Sequence, residues 1–160
     1  MSDIFDPVLC SASGHPGIDR WDSLINKIAP QYGVPPNLCK AHILYESGGD
    51  PNVVGKIPPP GYGLLQITSG VVDGKYNGEN ILDPYTNIKV GCRDFIAPLI
   101  RAFPTNLAAV IAGFNAGPGA EDTAIADGLS PATTTYGAWY VPAVQNAFSF
   151  LNATSHASLA

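Results

Sequence analysis

One carboxylate stands in a position that ordinary packing does not explain. Between Pro35-Pro36 and Gly48-Gly49, Cys39, Ile43 and Glu46 recur at spacings of four and three, with Ala41, Leu44 and Tyr45 alongside. That rhythm is one face of a helix, and it puts Glu46 on or beside the stripe that turns inward. Glu46 also falls in the last turn, where the exposed carbonyls carry partial negative charge and disfavour a second anion. Burial and the helix end both push a carboxyl toward its protonated form, and such a group serves as a general acid near neutral pH. Two readings stand on the wheel alone: an acid at the lip of a cleft, or an ordinary solvated glutamate. Ser47 and the small Gly48-Gly49 suit a cleft lip.

Other chemistries find less support in the residues. His15, His42 and His156 are scattered, without H-E-x-x-H or any metal-ligand spacing, and His42 reads as a core or boundary histidine. There is no G-x-S-x-G elbow, no Walker loop and no cofactor fingerprint. Gly117-Pro118-Gly119 follows a helical pattern instead of opening one, which makes it a poor phosphate cradle. Three cysteines, Cys10, Cys39 and Cys92, are an odd number with no C-x-x-C; buried free thiols are favoured over a single Cys39–Cys92 bridge.

The elements that must carry Glu46 follow from periodicity and punctuation. Pro7, Gly14, Pro16 and Gly17 break residues 1–17 into an irregular arm, ahead of a domain over 18–152 and a flexible tail over 153–160. Trp21, Leu24, Ile25 and Ile28 mark a first helix that Pro30 to Gly33 closes, and Pro35-Pro36 opens the Glu46 helix, which should end at Ser47. Pro58-Pro59-Pro60 reads as a stiff polyproline run, Tyr62 to Ile67 as a short apolar segment and 68–82 as an exposed excursion. Asp83-Pro84 caps a long helix with Ile88, Cys92, Phe95 and Leu99 on one stripe, which Pro98 should kink or end. Asn106 precedes LAAVIAGFNA, apolar all round and so expected at the centre, and a last helix should run from about Val141 to Leu151. With no strand pattern, the fold class is all-α: a buried central helix and long Gly/Pro-rich loops.

Composition sets the remaining bounds. The 160 residues are 46% hydrophobic and only 13% charged, with a net charge of −5, so the chain folds as one domain and is not a disordered tail. Eight Lys and Arg, never three in a row, leave little to neutralise phosphates, and neither a nucleic acid nor an anionic membrane is an expected partner. No apolar run spans a bilayer, and Met-Ser-Asp opens the chain without a leader, so synthesis in a cytoplasm is the expectation.

Five segments together resemble the soluble lytic transglycosylases, a family with relatives among goose-type lysozymes. Glu46-Ser47-Gly48-Gly49-Asp50-Pro51 resembles their E-S-x-x-D-P motif, and Gly63-Leu64-Leu65-Gln66-Ile67 is similar to G-L-M-Q-I/L. Asn87-Ile88 with Gly91 and Phe95 is similar to N-I-x-x-G-x-x-Y/F, Gly113 to Gly119 to A-Y-N-A-G-P-G, and Tyr140-Val141 to the final Y-V. Any one is weak, but five in order over residues 21–150 are specific. The resemblance implies a lysozyme-like fold acting, without cofactor or metal, on the β-1,4 bond between N-acetylmuramic acid and N-acetylglucosamine in peptidoglycan glycan strands. It makes Glu46 the single catalytic acid and sets Ser47, Gln66, Phe114, Asn115 and Tyr140 around the sugar cleft.

Each of these has a plainer reading as well. Gln66 and Asn115 can satisfy loop backbone, and Phe114 and Tyr140 can simply pack. Phe114 lacks the hydroxyl of the usual tyrosine, and Tyr136 stands where some members carry a further glutamate. The resemblance implies a one-carboxylate reaction that closes a 1,6-anhydro ring on the muramoyl sugar. Two rivals are hydrolysis assisted by Asp73, Glu79 or Asp83, and a silent wall-binding component of a particle. A bacteriophage setting, as a virion component beside other virion proteins or as a lysis enzyme, would bring a leaderless enzyme to the wall.

Overall fold

The computed structural model describes residues 4–6, 8–68, 74–76, 78–116 and 138–157. A short helix α1 (Pro16–Asp19) and α2 (Asp22–Ile28) lead through a 3-10 turn (Ala29–Tyr32) to Gly33, whose φ of 70° ends it. Helix α3 (Pro36–Glu46) carries the carboxylate of interest, with a proline in its first turn. Asp83 caps α4 (Pro84–Val90) by accepting from the Thr86 N–H at 2.9 Å. Asn106 Oδ1 likewise takes the Ala109 N–H at 3.0 Å as α6 (Leu107–Ala116) begins.

Between α4 and α5 (Ala97–Ala102) the chain stays helical through a π-helical stretch, Gly91–Ile96. Pro98 therefore does not end the helix. The wider π turn lies just before it, where the missing N–H and the ring would otherwise disturb an α-helical ladder. The last helix, α7 (Tyr140–Ala157), continues past Leu151 into residues expected to form a loose tail. Leu151 is buried, the helix runs on as Asn-Ala-Thr-Ser-His-Ala, and the Thr154 hydroxyl donates back to Phe150 O at 2.9 Å. Among the described residues the only extended pairing is two isolated bridges, Val54 with Tyr62 and Tyr62 with Ile67. Within the triple proline the Pro58–Pro59 bond is cis.

Helix α3 is the most enclosed element, with every residue from Pro36 to Ile43 buried. It packs on α2 and α7, while α6 packs on α5 and α7. Centrality was expected of α6, whose Ala109 to Gly113 are indeed buried; α3 shares that place, polar residues included. Asn37, Lys40 and His42 are all buried on it. The described part of the arm is irregular only up to His15, since Pro16 and Gly17 open α1 instead of breaking it, and it is docked: Phe5 is buried, the Cys10 N–H donates to Asn26 Oδ1 at 2.8 Å, and the Ser11 N–H donates to Asn37 Oδ1 at 3.1 Å. Cys39 and Cys92 face each other as free thiols with sulfurs 3.7 Å apart.

Candidate active site

The glycines after Glu46 do more than stop a helix. Gly48 and Gly49 have φ of 63° and 86°, and a Cβ on Gly49 would collide with the Gly17 carbonyl oxygen. The Gly49 carbonyl accepts from the Trp21 indole N–H at 2.9 Å and from Arg20 at 3.0 Å. The small pair read as a cleft lip is thus, at Gly49, a tight contact between the α3 terminus and α1. Ser47 belongs to the same turn: its hydroxyl donates to Ile43 O at 3.3 Å and accepts the Gly49 N–H at 3.2 Å.

The facing loop is pinned by Asn87. Its Oδ1 accepts the Leu65 N–H at 2.8 Å, and its Nδ2 donates to Tyr62 O and Ile81 O, both at 2.8 Å. Gly91 lets the loop approach, since a Cβ there would strike Leu65 Cδ1. Gln66 is consequently held at φ 48°, a left-handed conformation uncommon for a residue with a side chain. Its Nε2 donates to Gly63 O at 2.9 Å and Val53 O at 3.1 Å, which ties the two ends of the loop together.

These elements enclose a cavity of about 840 Å³, and Glu46, Gln66, Phe114 and Asn115 all line it. Asp94, Phe95 and Pro98 from the π-helical region, and Lys56 to Pro59 from the proline loop, complete much of the wall. Of the expected site residues, Ser47 and Tyr140 are not among the described lining residues. Tyr140 is buried behind Glu46 and its hydroxyl donates to Glu46 Oε1. Phe114 packs its ring on His42, with centroids 4.3 Å apart, and edge-on to Phe95 at 6.4 Å. Tyr136, Asp73 and Gly117-Pro118-Gly119 lie outside the described residues.

Burial pushes the Glu46 carboxyl up from its ordinary 4.5 to about 7, against the opposing pull of the Tyr140 hydrogen bond. Among the described residues no cation acts on it, and the neutral Tyr140 hydroxyl is the partner that lowers it. The environment is that of a carboxylic acid that keeps its proton near neutrality and, once it has given the proton away, is a competent base.

Two features escaped the sequence. His42, expected as a core or boundary histidine, is fully buried, but its Nδ1 also lies 2.8 Å from the Tyr140 oxygen, and burial depresses it to about 3, so the ring is neutral. Its spacing of four from Glu46 on the same stripe was the available signal. Asp94 places a second carboxylate in the cavity wall. Arg93 donates to both its oxygens at 2.9 and 2.8 Å, and the Tyr76 hydroxyl donates at 2.8 Å. Those bonds, Arg93 foremost, hold Asp94 down to about 2. Of the three acids first considered for a hydrolytic role, Asp83 is occupied as a helix cap and Glu79 is exposed.

A comparison with family profiles matches residues 23–135 to the family described as the transglycosylase SLT domain. The chain belongs to that family. Its fold is lysozyme-like and similar to that of the 70 kDa soluble lytic transglycosylase SLT70 of Escherichia coli, with a TM-score of 0.69 and 23% identity. That similarity covers 83% of this chain and 24% of the other, so this SLT domain spans about a quarter of the length of SLT70. Among its described residues, no helix is long and apolar enough to cross a membrane.

Proposed function

We propose that this SLT domain is a peptidoglycan lytic transglycosylase in which Glu46 acts alone, first as acid and then as base. The observation that carries the proposal is a carboxyl raised to about 7, opening on a large cavity, with a neutral hydroxyl as its partner. Protonated Glu46 gives its proton to the glycosidic oxygen as the bond to the muramoyl C1 breaks. The 2-acetamido carbonyl oxygen of the same sugar bonds to C1 and takes up the developing positive charge. Glu46, now a carboxylate, removes the proton from the C6 hydroxyl, and O6 displaces the acetamido oxygen at C1. The 1,6-anhydro ring closes, Glu46 is protonated again, and no water is consumed.

Gln66, Phe114 and Asn115 supply one wall of the sugar site in this reading, with Tyr140 and Ser47 supporting Glu46 from behind. Asn115 is exposed at the mouth of the cavity, where it can meet substrate hydroxyls or amides. Wall delivery by an assembly such as a phage particle is supported by the net charge of −5, which offers no pull toward an anionic cell surface.

Hydrolysis is the second reading, and Asp94 in the same cavity wall favours it. Paired carboxylates are the usual hydrolytic arrangement. Both Asp94 oxygens already accept from Arg93, however, and a carboxylate held at about 2 is a weak base for activating water. Mass spectrometry of the fragments released from purified peptidoglycan separates the readings. Ends one water lighter than reducing ends are expected, together with a rate about 10²–10⁴-fold lower for a folded Glu46→Gln variant. Reducing ends would favour hydrolysis, and unchanged release by Glu46→Gln would remove Glu46 from the chemistry.

A further inference from the structure

His42 joins Tyr140 and Glu46 in one line, and neither the family motifs nor the proposed chemistry gives His42 a part. His42 and Glu46 lie one helical turn apart on α3, and the Tyr140 hydroxyl, from the start of α7, sits between them. Two proton arrangements fit such a line. In one, Nδ1–H donates to Tyr140 and Tyr140 donates to Glu46 Oε1. In the other, Glu46 donates to Tyr140 and Tyr140 donates to a bare Nδ1, so that the acid's proton points inward and away from substrate.

The surroundings of His42 choose between them. Among the described residues, Nε2 is buried and has no hydrogen-bond partner. A neutral imidazole carries one N–H. Placing it on Nε2 would bury an orphaned donor, whereas placing it on Nδ1 gives the proton a partner 2.8 Å away. The ring is also held in place, packed at a tilt of 40° against Phe114 from α6, the residue that lacks the hydroxyl usual at that motif position. Among the described residues the titratable group facing His42 is Tyr140 from α7, with Glu46 on its own helix reached through that hydroxyl; Phe114 contributes no charge, and burial sets the ring's protonation.

We propose that His42 is a positioning residue for the acid–base step: its Nδ1–H donates to the Tyr140 hydroxyl, commits that hydroxyl's proton to Glu46 Oε1, and leaves Oε2 as the oxygen that gives and takes the transferred proton. The proposal rests on Glu46 being the acid. The donated bond serves both protonation states, because Oε1 accepts it whether or not Oε2 carries a proton. One oxygen can then perform both halves of the reaction without the carboxyl turning over.

Two measurements test this. The first is the ¹⁵N–¹H long-range correlation spectrum of the ¹⁵N-histidine-labelled protein between pH 5 and 8. The His42 ring should be neutral and protonated at Nδ1; an Nε2–H tautomer or a cationic ring overturns the proposal with no variant made. The second compares His42→Leu with His42→Asn, whose amide nitrogen can occupy the Nδ1 position. His42→Leu should lower kcat about tenfold with little change in KM, the scale of one lost hydrogen bond to an ionisable group. Tyr140 donation holds Glu46 lower than burial alone would, so the alkaline limb of kcat/KM should move to higher pH. His42→Asn should restore both. Equal losses in the two variants with an unmoved limb would reduce His42 to packing. Activity retained by Glu46→Gln would instead overturn the catalytic reading and leave the tautomer result standing.

Discussion

Helix α3 carries two buried polar clusters, built on residues two positions apart and closed in opposite ways. Lys40 is 1% exposed, with its ammonium 2.7 Å from Asp19, 2.6 Å from Asp22 and 2.5 Å from the Ser11 carbonyl. Burial alone would raise Asp19, but the donors from Lys40 and Ser13 outweigh it and bring it to about 2. Asp22 sits more deeply and is raised, burial outweighing Lys40. The other cluster, His42, Tyr140 and Glu46, contains no cation, and its one acid stays protonated to about 7. Charges that meet inside a protein fix geometry, and those at Lys40 tie α1, α2 and the arm to α3. A carboxyl with only neutral donors leaves a proton poised for transfer. The same helix therefore holds an anchor on one side and a reactive acid on the other.

Breaking the anchor should cost most in stability. Lys40→Met leaves two part-exposed aspartates without their cation, and we expect a loss of roughly 3 kcal/mol, the low end for a broken buried pair. Urea denaturation measures it, and the activity of the folded fraction should be unchanged. A midpoint equal to wild type would mean that Lys40 is not the tie between these elements.

The reactive cluster should respond to pH in a way the anchor does not. Glu46 binds its proton more tightly in the folded chain than in the unfolded one, so its contribution is fully present below about 4.5 and is lost as pH rises through about 7. Glu46→Gln, which cannot ionise, should match wild type near pH 4 and exceed it at pH 9 by up to about 3 kcal/mol. Thermal melts of the two proteins across that range measure the difference. A constant difference would mean that the carboxyl is not desolvated.

Much of the frame can be read from local punctuation, because caps and stops act over a few residues. Pro35-Pro36 and Gly48-Gly49 bound α3, and Asp83-Pro84 starts α4. Gln66, Phe114 and Asn115 were expected at the cleft from their motifs, and they line the cavity with Glu46. What escaped depends on pairs distant in sequence. His42 and Tyr140 are 98 positions apart, and Asp94 reaches the cavity as part of a Tyr76–Asp94–Arg93 group whose tyrosine folds in from the excursion. Lys40 looks like a surface residue until Asp19 and Asp22 are seen to converge on it. The π-helical turn escaped for another reason: a proline in a helical pattern announces a disturbance but not how the preceding turn absorbs it.

The central claim is that Glu46 holds a proton at neutral pH because it is buried with no cation acting on it among the described residues, and one measurement addresses it directly. The side-chain carboxyl carbon of Glu46 should be followed by ¹³C NMR from pH 4 to 9, with Glu46→Gln assigning the resonance. A midpoint near 7 is predicted. A midpoint near the ordinary 4.5 would contradict the account, leaving an ionised carboxylate where the proposed reaction needs an acid.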